Sequence, residues 1–391
     1  MNEVIGIFAD RPDMATGMAV VCRNLALGLS HYPARIIYFG RFGCEVGFSK
    51  QTTVHDDILN FDYVQCEGRV WKPKTVIEAV EHYGVDYIFS EDDFFSAGGL
   101  VTASLKTKKP LHLLTPIDSL PIHPRAYDIF KRCKKVYVPN RSYKLIKNGV
   151  FLPHGVDTNL FHPENHNHNE NNTFTFLWVG RDEPRKAMGR AITALEKIYR
   201  KVDCKMIIHS DWRADMAKRT ARFLRYKRDL PVVMTQMEGG SHAKLGQIYN
   251  NADAFICTSK AGGFEMGITE AMACGLPAIV TDWTFMQELI DSICPYMYHS
   301  CLIKGCANGL LIPISSTCED WVDLGDGRRW GIPLGRKWGN ISINALADAM
   351  RFMVNNREVV DWMGQKALEK AKKYNWNEIS GKLYKEIIES E

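Results

Sequence analysis

The stretch GGFEMGITEAMACGLPAIVTD, residues 262–282, joins a glycine-rich turn, a short helix and an apolar run. The small and apolar residues that follow Gly267 predict a helix, and Gly275 and Pro277 end it. The run PAIVT then has the composition of a buried strand. A loop that opens a helix beside a buried strand is typical of α/β folds.

The same alternation of strand and helix continues on both sides of this stretch. The apolar runs FTFLWV, CKMII, PVVMT and DAFIC precede it, separated by stretches with helical composition. They predict a doubly wound α/β domain over residues 174–344. Residues 1–161 show a second alternation, starting with Val4–Phe8, and predict another Rossmann-like domain. Ligands of such sheets bind at the carboxyl ends of the strands, so we expect the active site in a cleft where the two domains face each other.

A polar tract and a helical tail complete the predicted organisation. HPENHNHNENNT, residues 162–173, has no apolar periodicity and is interpreted as a linker, with metal binding by its histidines as the alternative. Residues 345–391 predict helices that pack back across the domains.

The overall composition is that of a globular protein in a reducing compartment. Of 391 residues, 46% are hydrophobic and 24% are charged, and the formal net charge of +4 gives no reason to expect nucleic-acid binding. The start MNEVIGIFAD does not resemble an export signal, and no run is apolar over the roughly 18 residues that a membrane span needs. The eleven scattered cysteines favour free thiols. We therefore expect a cytoplasmic protein.

Two stretches carry candidate chemistry. The glycine-rich turn at 262–267 places free helix N–H groups where a phosphate or a polar sugar binds, and Glu270 is suited to a vicinal diol such as a ribose. In FLWVGRDEPRKAMGRAI, residues 176–192, Arg181, Arg185 and Lys186 follow a strand and are suited to neutralising a leaving diphosphate. The alternatives are a helix-capping pattern and a solvated run of charges.

Together these stretches resemble the retaining glycosyltransferases of family 4, which have the GT-B architecture of two Rossmann-like domains. The resemblance covers nearly the whole chain. It includes PHGVDTNLFHP at residues 153–163, VGR followed by Lys186, the TEAMACGLP helix, Glu288 in QELI, NGLLIP at 308–313 and WMGQKALEKAKKYNW in the tail. It implies transfer of a hexose from a nucleoside-diphosphate sugar, such as a UDP- or GDP-hexose, to a hydroxyl of a glycan or lipid-linked acceptor.

The resemblance also implies roles for individual residues. Arg181 and Lys186 would hold the diphosphate and stabilise it as it leaves, which makes a metal or other cofactor unnecessary. Glu270 would bind the ribose, and Thr16 and Gly17 would lie in a loop beside the acceptor and the phosphates. The residues implied in donor binding are Thr16, Gly17, Gly180, Arg181, Lys186, Gly263, Phe264, Glu265, Met266, Gly267 and Glu270.

The chain departs from the family pattern at two positions. The first Glu of the E-x7-E motif is replaced by Gly262, and Glu265 is the candidate to supply the missing carboxylate. A frequent histidine of the N-terminal domain is replaced by Ile117, which leaves Asp118 as the preferred catalytic group there, while His112 is interpreted as a core histidine. These departures motivate the alternative of a non-catalytic nucleotide-sugar-binding protein. A nucleotide-sugar epimerase is a further alternative.

Two smaller signals complete the analysis. Between Asp128 and Asp157 there are only basic charges, over residues 131–147, which predicts a peripheral contact with an anionic membrane surface or, alternatively, a solvated helix face. Cys294, Cys301, Cys306 and Cys318 lack the paired spacing of a zinc site, so no metal site is predicted.

Overall fold

The computed structural model of the chain describes residues 3–14, 16–43, 61–164, 173–210, 229–236, 243–294, 304–319 and 337–389. These residues form two compact units. Unit 1 comprises Met1–Ile117, Ile122–Gly155 and Tyr374–Glu391, and unit 2 comprises Asp118–Pro121 and Val156–Lys373. Residues 211–228, His166 and His168 of the polar tract, and Cys301 lie outside the described residues.

Unit 1 is a doubly wound α/β unit, as predicted. Its parallel seven-stranded sheet has the order β3-β2-β1-β4-β5-β6-β7, so the direction of winding reverses between β1 and β4. The strands are β1 (Glu3–Asp10), β2 (Ala34–Gly43), β3 (Asp62–Glu67), β4 (Tyr87–Glu91), β5 (Leu111–Leu114), β6 (Lys135–Val138) and β7 (Gly149–Phe151). The helices are α1 (Gly17–Leu29), α2 (Pro73–Tyr83), α3 (Gly98–Thr107) and α4 (Pro124–Phe130), with a 3-10 turn at Arg141–Leu145.

Unit 2 repeats this plan. Its sheet has the order β10-β9-β8-β11-β12-β15-β14-β13, in which the first six strands are parallel and β14 and β13 are antiparallel additions. The strands are β8 (Phe174–Val179), β9 (Cys204–Ser210), β10 (Val232–Gln236), β11 (Ala254–Cys257), β12 (Ala278–Thr281), β13 (Ser292–Cys294), β14 (Lys304–Cys306) and β15 (Gly309–Ile312), with a separate hairpin of β16 (Ile314–Glu319) and β17 (Lys337–Ile341). The helices are α5 (Met188–Ile198), α6 (Ala243–Asn250), α7 (Met266–Ala273), α8 (Ile343–Asn355) and α9 (Arg357–Ala371).

The helical tail divides between the units. Helices α8 and α9 belong to unit 2, where Lys370 of α9 donates to Asp291 Oδ1 (2.6 Å) and to the carbonyl of Glu288 (3.1 Å). The last helix, α10 (Trp376–Ile388), belongs to unit 1 and packs on α1. At that contact the side chain of Ser380 fills the space that a Cβ on Gly28 would need.

The boundary between the units falls earlier than residue 161. Residues from Val156 onward belong to unit 2, and residues 161–164 contact α6. Asn250 of α6 donates to the carbonyl of His162 (3.0 Å) and accepts from the backbone N–H of Glu164 (3.0 Å). The ring of Phe161 meets that of Tyr249 edge-on at 5.6 Å. The end of the GVD segment is therefore part of unit 2, and residues 165–172 of the predicted linker lie outside the described residues.

Candidate functional site

The strand order of unit 2 identifies where a ligand binds. Its sheet reverses winding between β8 and β11, and ligands of open α/β sheets bind outside the carboxyl ends of the strands at such a point. The loop after β8 contains the predicted cations at 180–186, and the loop after β11 leads to the glycine-rich turn and α7. The two stretches singled out in the sequence therefore meet at one end of one sheet.

Hydrogen bonds tie the two loops together. The hydroxyl of Thr258 donates to the carbonyl of Lys186 (2.8 Å), and the backbone N–H of Lys260 donates to the carbonyl of Arg185 (2.8 Å). The guanidinium of Arg185 donates to the carbonyl of Ala261 (2.7 Å). These bonds fix where both cationic side chains leave the backbone.

Glu265 lies between these cations. Its carboxylate accepts from Lys186 Nζ and from Arg185 Nη1, the latter at 3.2 Å, and its side chain is only 10% exposed. Burial raises the pKa of a carboxyl group, but here the charges of Lys186 and Arg185 outweigh it and hold the pKa of Glu265 below its usual value. Glu265 is therefore ionised at neutral pH.

The missing side chain at position 262 has a structural explanation. A Cβ at Gly262 would lie 2.5 Å from Oε1 of Glu265 and 2.8 Å from its Cγ, closer than real Cβ contacts. A side chain at 262 and the carboxylate of Glu265 in this position exclude each other. The carboxylate of Glu265 thus lies over Gly262, three residues after the position at which the family motif has its first Glu.

Glu270 lies in α7 beside a buried tyrosine. The hydroxyl of Tyr249, which is fully buried, donates to Glu270 Oε2 at 2.7 Å. Burial raises the pKa of Glu270 to about 7, against the opposing effects of the Tyr249 hydrogen bond and the Lys186 charge. A carboxyl group that titrates near neutral pH is characteristic of functional sites.

The structure separates the two arginines of the loop. Arg181 is 41% exposed and lies 3.9 Å from Glu183, so it does not share Glu265. Arg185, which the resemblance gave no role, is the arginine that does. Burial lowers the pKa of Arg185, but the negative charges of Glu265 and Asp118 raise it by more, so the pKa is higher than usual. Asp118 belongs to the segment of unit 2 that lies between two parts of unit 1 in the sequence.

Unit 1 has a buried ionic cluster at its own winding reversal. Arg41 of β2 donates to Asp10 at the end of β1 (2.8 Å) and to Asp92 just after β4 (2.7 Å). Thr16 donates to Asp10 Oδ2 (2.8 Å) and caps α1 through the N–H of Ala19 (3.1 Å). The Thr16 loop, which the resemblance places beside the ligand, is therefore fixed to this cluster, and Gly17 is the first residue of α1. Sequence reasoning missed the cluster, although acidic residues directly after predicted strands were a usable signal.

Two histidines of unit 1 are buried in neutral form. His112 in β5 hydrogen-bonds the hydroxyl of Tyr137 (2.9 Å), and burial lowers its pKa to about 3, which confirms the interpretation as a core histidine. His154 lies 3.3 Å from the buried Glu91, and burial likewise lowers its pKa to about 3 while raising that of Glu91 well above its usual value. With the pKa of His154 lowered and that of Glu91 raised, both side chains of this pair are uncharged.

Part of the chain matches a family model. Residues 173–319, which include the cationic loop, Glu265 and Glu270, match Glycosyl transferases group 1. The probable sucrose-phosphate synthase of Thermosipho melanesiensis is 29% identical over 160 residues, which are 38% of this chain and 36% of that protein. The GDP-mannose-dependent alpha-(1-6)-phosphatidylinositol dimannoside mannosyltransferase of Mycobacterium tuberculosis is 29% identical over 152 residues, 37% of this chain and 38% of that protein. The chain thus matches little more than a third of the length of these relatives.

A solved structure resembles the whole chain. The crystal structure of the Anabaena protein HepE in complex with UDP and glucose has a TM-score of 0.71 at 14% sequence identity, covering 98% of this chain and 99% of that one. At this identity the likeness is one of fold.

Proposed function

We propose that the chain is a retaining hexosyltransferase, because residues 173–319 match the Glycosyl transferases group 1 model and the chain has two doubly wound units, as in the GT-B fold. It would transfer a hexose from a nucleoside-diphosphate sugar to a hydroxyl of a glycan or lipid-linked acceptor. The observation that carries the proposal is the cluster of Arg185, Lys186 and Glu265 at the winding reversal of unit 2, next to the N-terminus of α7.

The cluster supplies what departure of a diphosphate requires. As the bond between the sugar and the phosphate breaks, negative charge develops on the leaving oxygen, and preorganised cations stabilise that charge more than the ground state. Lys186 and Arg185 are held by backbone contacts before a ligand arrives. With Arg181 at the open side of the loop, they would replace a divalent metal, and the leaving phosphate would help to deprotonate the acceptor on the same face of the sugar.

The donor would lie along the carboxyl ends of β8 and β11. The residues of the glycine-rich turn, Gly263, Phe264, Met266 and Gly267, would contact phosphate and sugar through their backbone, with Gly180 at the opposite wall. Glu270 would accept hydrogen bonds from the ribose, and Glu265 from the hydroxyls of the hexose. HepE is solved with UDP and glucose, and the mycobacterial relative is named GDP-mannose-dependent, so both UDP- and GDP-hexoses are donor candidates.

Thr16, Gly17 and Asp118 would serve the acceptor side. Thr16 is fixed by Asp10 and the helix cap, so its loop presents the N-terminus of α1 in one conformation. Asp118 is half-buried and close enough to Arg185 to raise its pKa. We propose that Asp118 orients the acceptor hydroxyl.

The experiment that tests the function is a donor screen followed by a transfer assay. Thermal-shift measurements with nucleoside diphosphates and their sugars should show stabilisation by one nucleotide and one of its sugars, because a ligand of the folded state raises stability. Transfer to an acceptor, with retention at the anomeric carbon and in excess chelator, is the expected result. Selective donor binding without transfer to any acceptor would favour the non-catalytic alternative, which Gly262 and Ile117 motivate.

We expect donor affinity to depend on pH through Glu270. With a pKa of about 7, this group is largely neutral at pH 6 and ionised at pH 8, and only the carboxylate accepts a hydrogen bond from both ribose hydroxyls. Nucleoside-diphosphate affinity should therefore rise as the pH rises through 7, measured by isothermal titration calorimetry. Because the ligand's phosphate titrates nearby, the control is Glu270→Gln, whose profile should lack the Glu270 step; identical profiles would contradict the assignment.

We also propose a peripheral membrane contact for unit 1. The amide of Asn148 donates to the carbonyls of Phe130 (3.0 Å) and Cys133 (2.8 Å), which holds the segments 131–134 and 144–147 side by side. We term these two segments the basic edge. Its exposed cations are Lys131, Arg132, Lys134, Lys144 and Lys147, of which Lys131 pairs with Asp128. Leu145, 52% exposed, adds an apolar group. No helix within the described ranges is long and apolar enough to cross a membrane.

The membrane contact is tested by co-sedimentation with vesicles. The protein should bind vesicles that contain an anionic phospholipid and not vesicles of phosphatidylcholine alone. Each lysine near such a surface contributes about fivefold in binding, so Lys134→Gln, Lys144→Gln and Lys147→Gln together should weaken binding about 100-fold. The matched control replaces the exposed Lys72, Lys106 and Lys201 by Gln. Equal losses in both triple variants would contradict a specific basic edge.

A further inference from the structure

The two cations of the candidate phosphate site are paired with a carboxylate of the protein itself. Lys186 and Arg185 share one buried carboxylate, that of Glu265. A bound diphosphate needs the same N–H donors. The site therefore contains an internal anion in the place where an external one is expected.

We propose that Glu265 is an exchangeable counter-ion, an inference that rests on the proposed function. The donor diphosphate displaces the Glu265 carboxylate from Lys186 and Arg185, and the released carboxylate then accepts hydrogen bonds from the hydroxyls of the donor sugar. After transfer the sugar is gone, and the carboxylate returns to the cations and weakens the hold on the nucleoside diphosphate.

The guanidinium of Arg185 and the backbone of Lys186 have contacts that do not involve Glu265. Arg185 donates to the carbonyl of Ala261 with the same nitrogen that contacts Glu265, and its own carbonyl accepts from Lys260. The backbone at Lys186 is held by the hydroxyl of Thr258. The guanidinium of Arg185 thus keeps a contact at the site when the carboxylate leaves, and the backbone of Lys186 stays in place.

Glu265, by contrast, does not cap the helix that it precedes, although its carboxylate also accepts a hydrogen bond from the buried side chain of Ser259. It is the N-cap residue of α7, but its side chain makes no capping hydrogen bond to the helix. Its position over the cations depends on Gly262, because a Cβ there would overlap the carboxylate. The backbone of Gly262 does not have a positive φ, so the glycine serves this close approach and not a left-handed turn. Gly262 is therefore the residue that permits the resting position of Glu265.

Charge makes the two anions compete. Glu265 is held in its ionised form by its neighbours. A diphosphate at the same cations would be repelled by that carboxylate in a site with little water to screen the charges. A nucleotide sugar offers the displaced carboxylate new hydroxyl partners, whereas a nucleoside diphosphate offers none. The exchange therefore favours the complete donor over the product, and it promotes product release, which limits turnover in many enzymes.

The test compares nucleoside-diphosphate affinity by isothermal titration calorimetry, with UDP and GDP as probes, in the wild type, Glu265→Gln and Gly262→Ala. We expect Glu265→Gln to bind the preferred nucleoside diphosphate about tenfold more tightly than the wild type and to release it more slowly in stopped-flow displacement. Gly262→Ala should also bind the nucleoside diphosphate more tightly than the wild type, because the added Cβ displaces the Glu265 carboxylate from the cations. In both variants the nucleotide sugar should gain less affinity than the diphosphate.

The matched control is Glu183→Gln, which removes a negative charge from the same loop without touching Lys186. It should change affinity less than twofold, since its pair with Arg181 is long, at 3.9 Å, and only partly buried. Unchanged or weaker diphosphate binding in Glu265→Gln would overturn the exchange and make Glu265 a positioning residue for the cations. A wild type that binds neither probe would overturn the proposed function as well, so the two failures are distinct.

Discussion

Replacement of Glu270 by alanine is expected to abolish transfer and to weaken nucleotide binding. The carboxylate is proposed to accept two hydrogen bonds from the ribose, and a hydrogen bond to a charged group contributes about 1.5–3 kcal/mol. The loss in kcat/KM should therefore reach about 10²- to 10⁴-fold. Steady-state kinetics and calorimetric titration of the nucleoside diphosphate measure both effects.

Glu270→Ala also affects folding stability, which must be measured separately. It removes the partner of the Tyr249 hydroxyl, which is fully buried, and an unsatisfied buried group costs about 1–3 kcal/mol. The double variant Glu270→Ala, Tyr249→Phe should recover part of this stability without recovering transfer. Glu358→Ala, an exposed position on α9, is the control for loss of a glutamate. Unchanged transfer by folded Glu270→Ala would exclude the ribose assignment.

Lys186→Ala is expected to lower kcat by about 10²- to 10³-fold, with a smaller effect on donor affinity. The ammonium group is proposed to act mainly on charge that develops as the diphosphate leaves, and such an interaction stabilises the transition state more than the bound substrate. Single-turnover kinetics together with donor titration separate the two effects. Lys197→Ala, an exposed lysine on α5, is the matched control.

Two results would change the interpretation of Lys186. Equal losses in kcat and in donor affinity would show that the lysine contributes binding alone. Restoration of turnover by a divalent metal would argue that a cation of either kind suffices, whereas metal dependence of the wild type would contradict the cationic mechanism. Because the variant leaves Glu265 with Arg185 as its cationic partner in the cluster, thermal unfolding should be recorded beside the kinetics.

The sequence predicted the doubly wound fold because the signal is local. Buried strands such as AIVT of β12 and amphipathic helices such as α5 can be recognised from residue composition and hydrophobic periodicity alone. This recognition does not require knowing which elements they pack against. The same locality explains the misplaced boundary. Residues between Val156 and Glu164 follow a strand of unit 1 in the chain, but their contacts are with α6, which lies far along the sequence.

For the candidate site, too, the sequence predicted the participating segments but not all of their contacts. The sequence stretches at 176–192 and 262–282 were sufficient to predict that a cationic loop and a glycine-rich helix start belong to one site. They were not sufficient to choose between Arg181 and Arg185, since both follow the strand and both carry the same charge. In the structure Arg185, and not Arg181, contacts Glu265 and the Ala261 carbonyl.

What the sequence by itself determined is the order of strands and helices, the family resemblance and the residue types available at the ends of the strands. What only the tertiary structure decided is which of these residues meet. Two of these contacts join segments far apart in the chain: that of Glu265 with Arg185 and Lys186, and the Asp10–Arg41–Asp92 cluster. The close approach of Glu265 to Gly262 depends on the position of the Glu265 side chain. The hydrophobic periodicity of a short stretch is enough to indicate whether that stretch forms a helix or a strand. Ion pairs, by contrast, depend on distances between side chains that are set only when the sheets have formed.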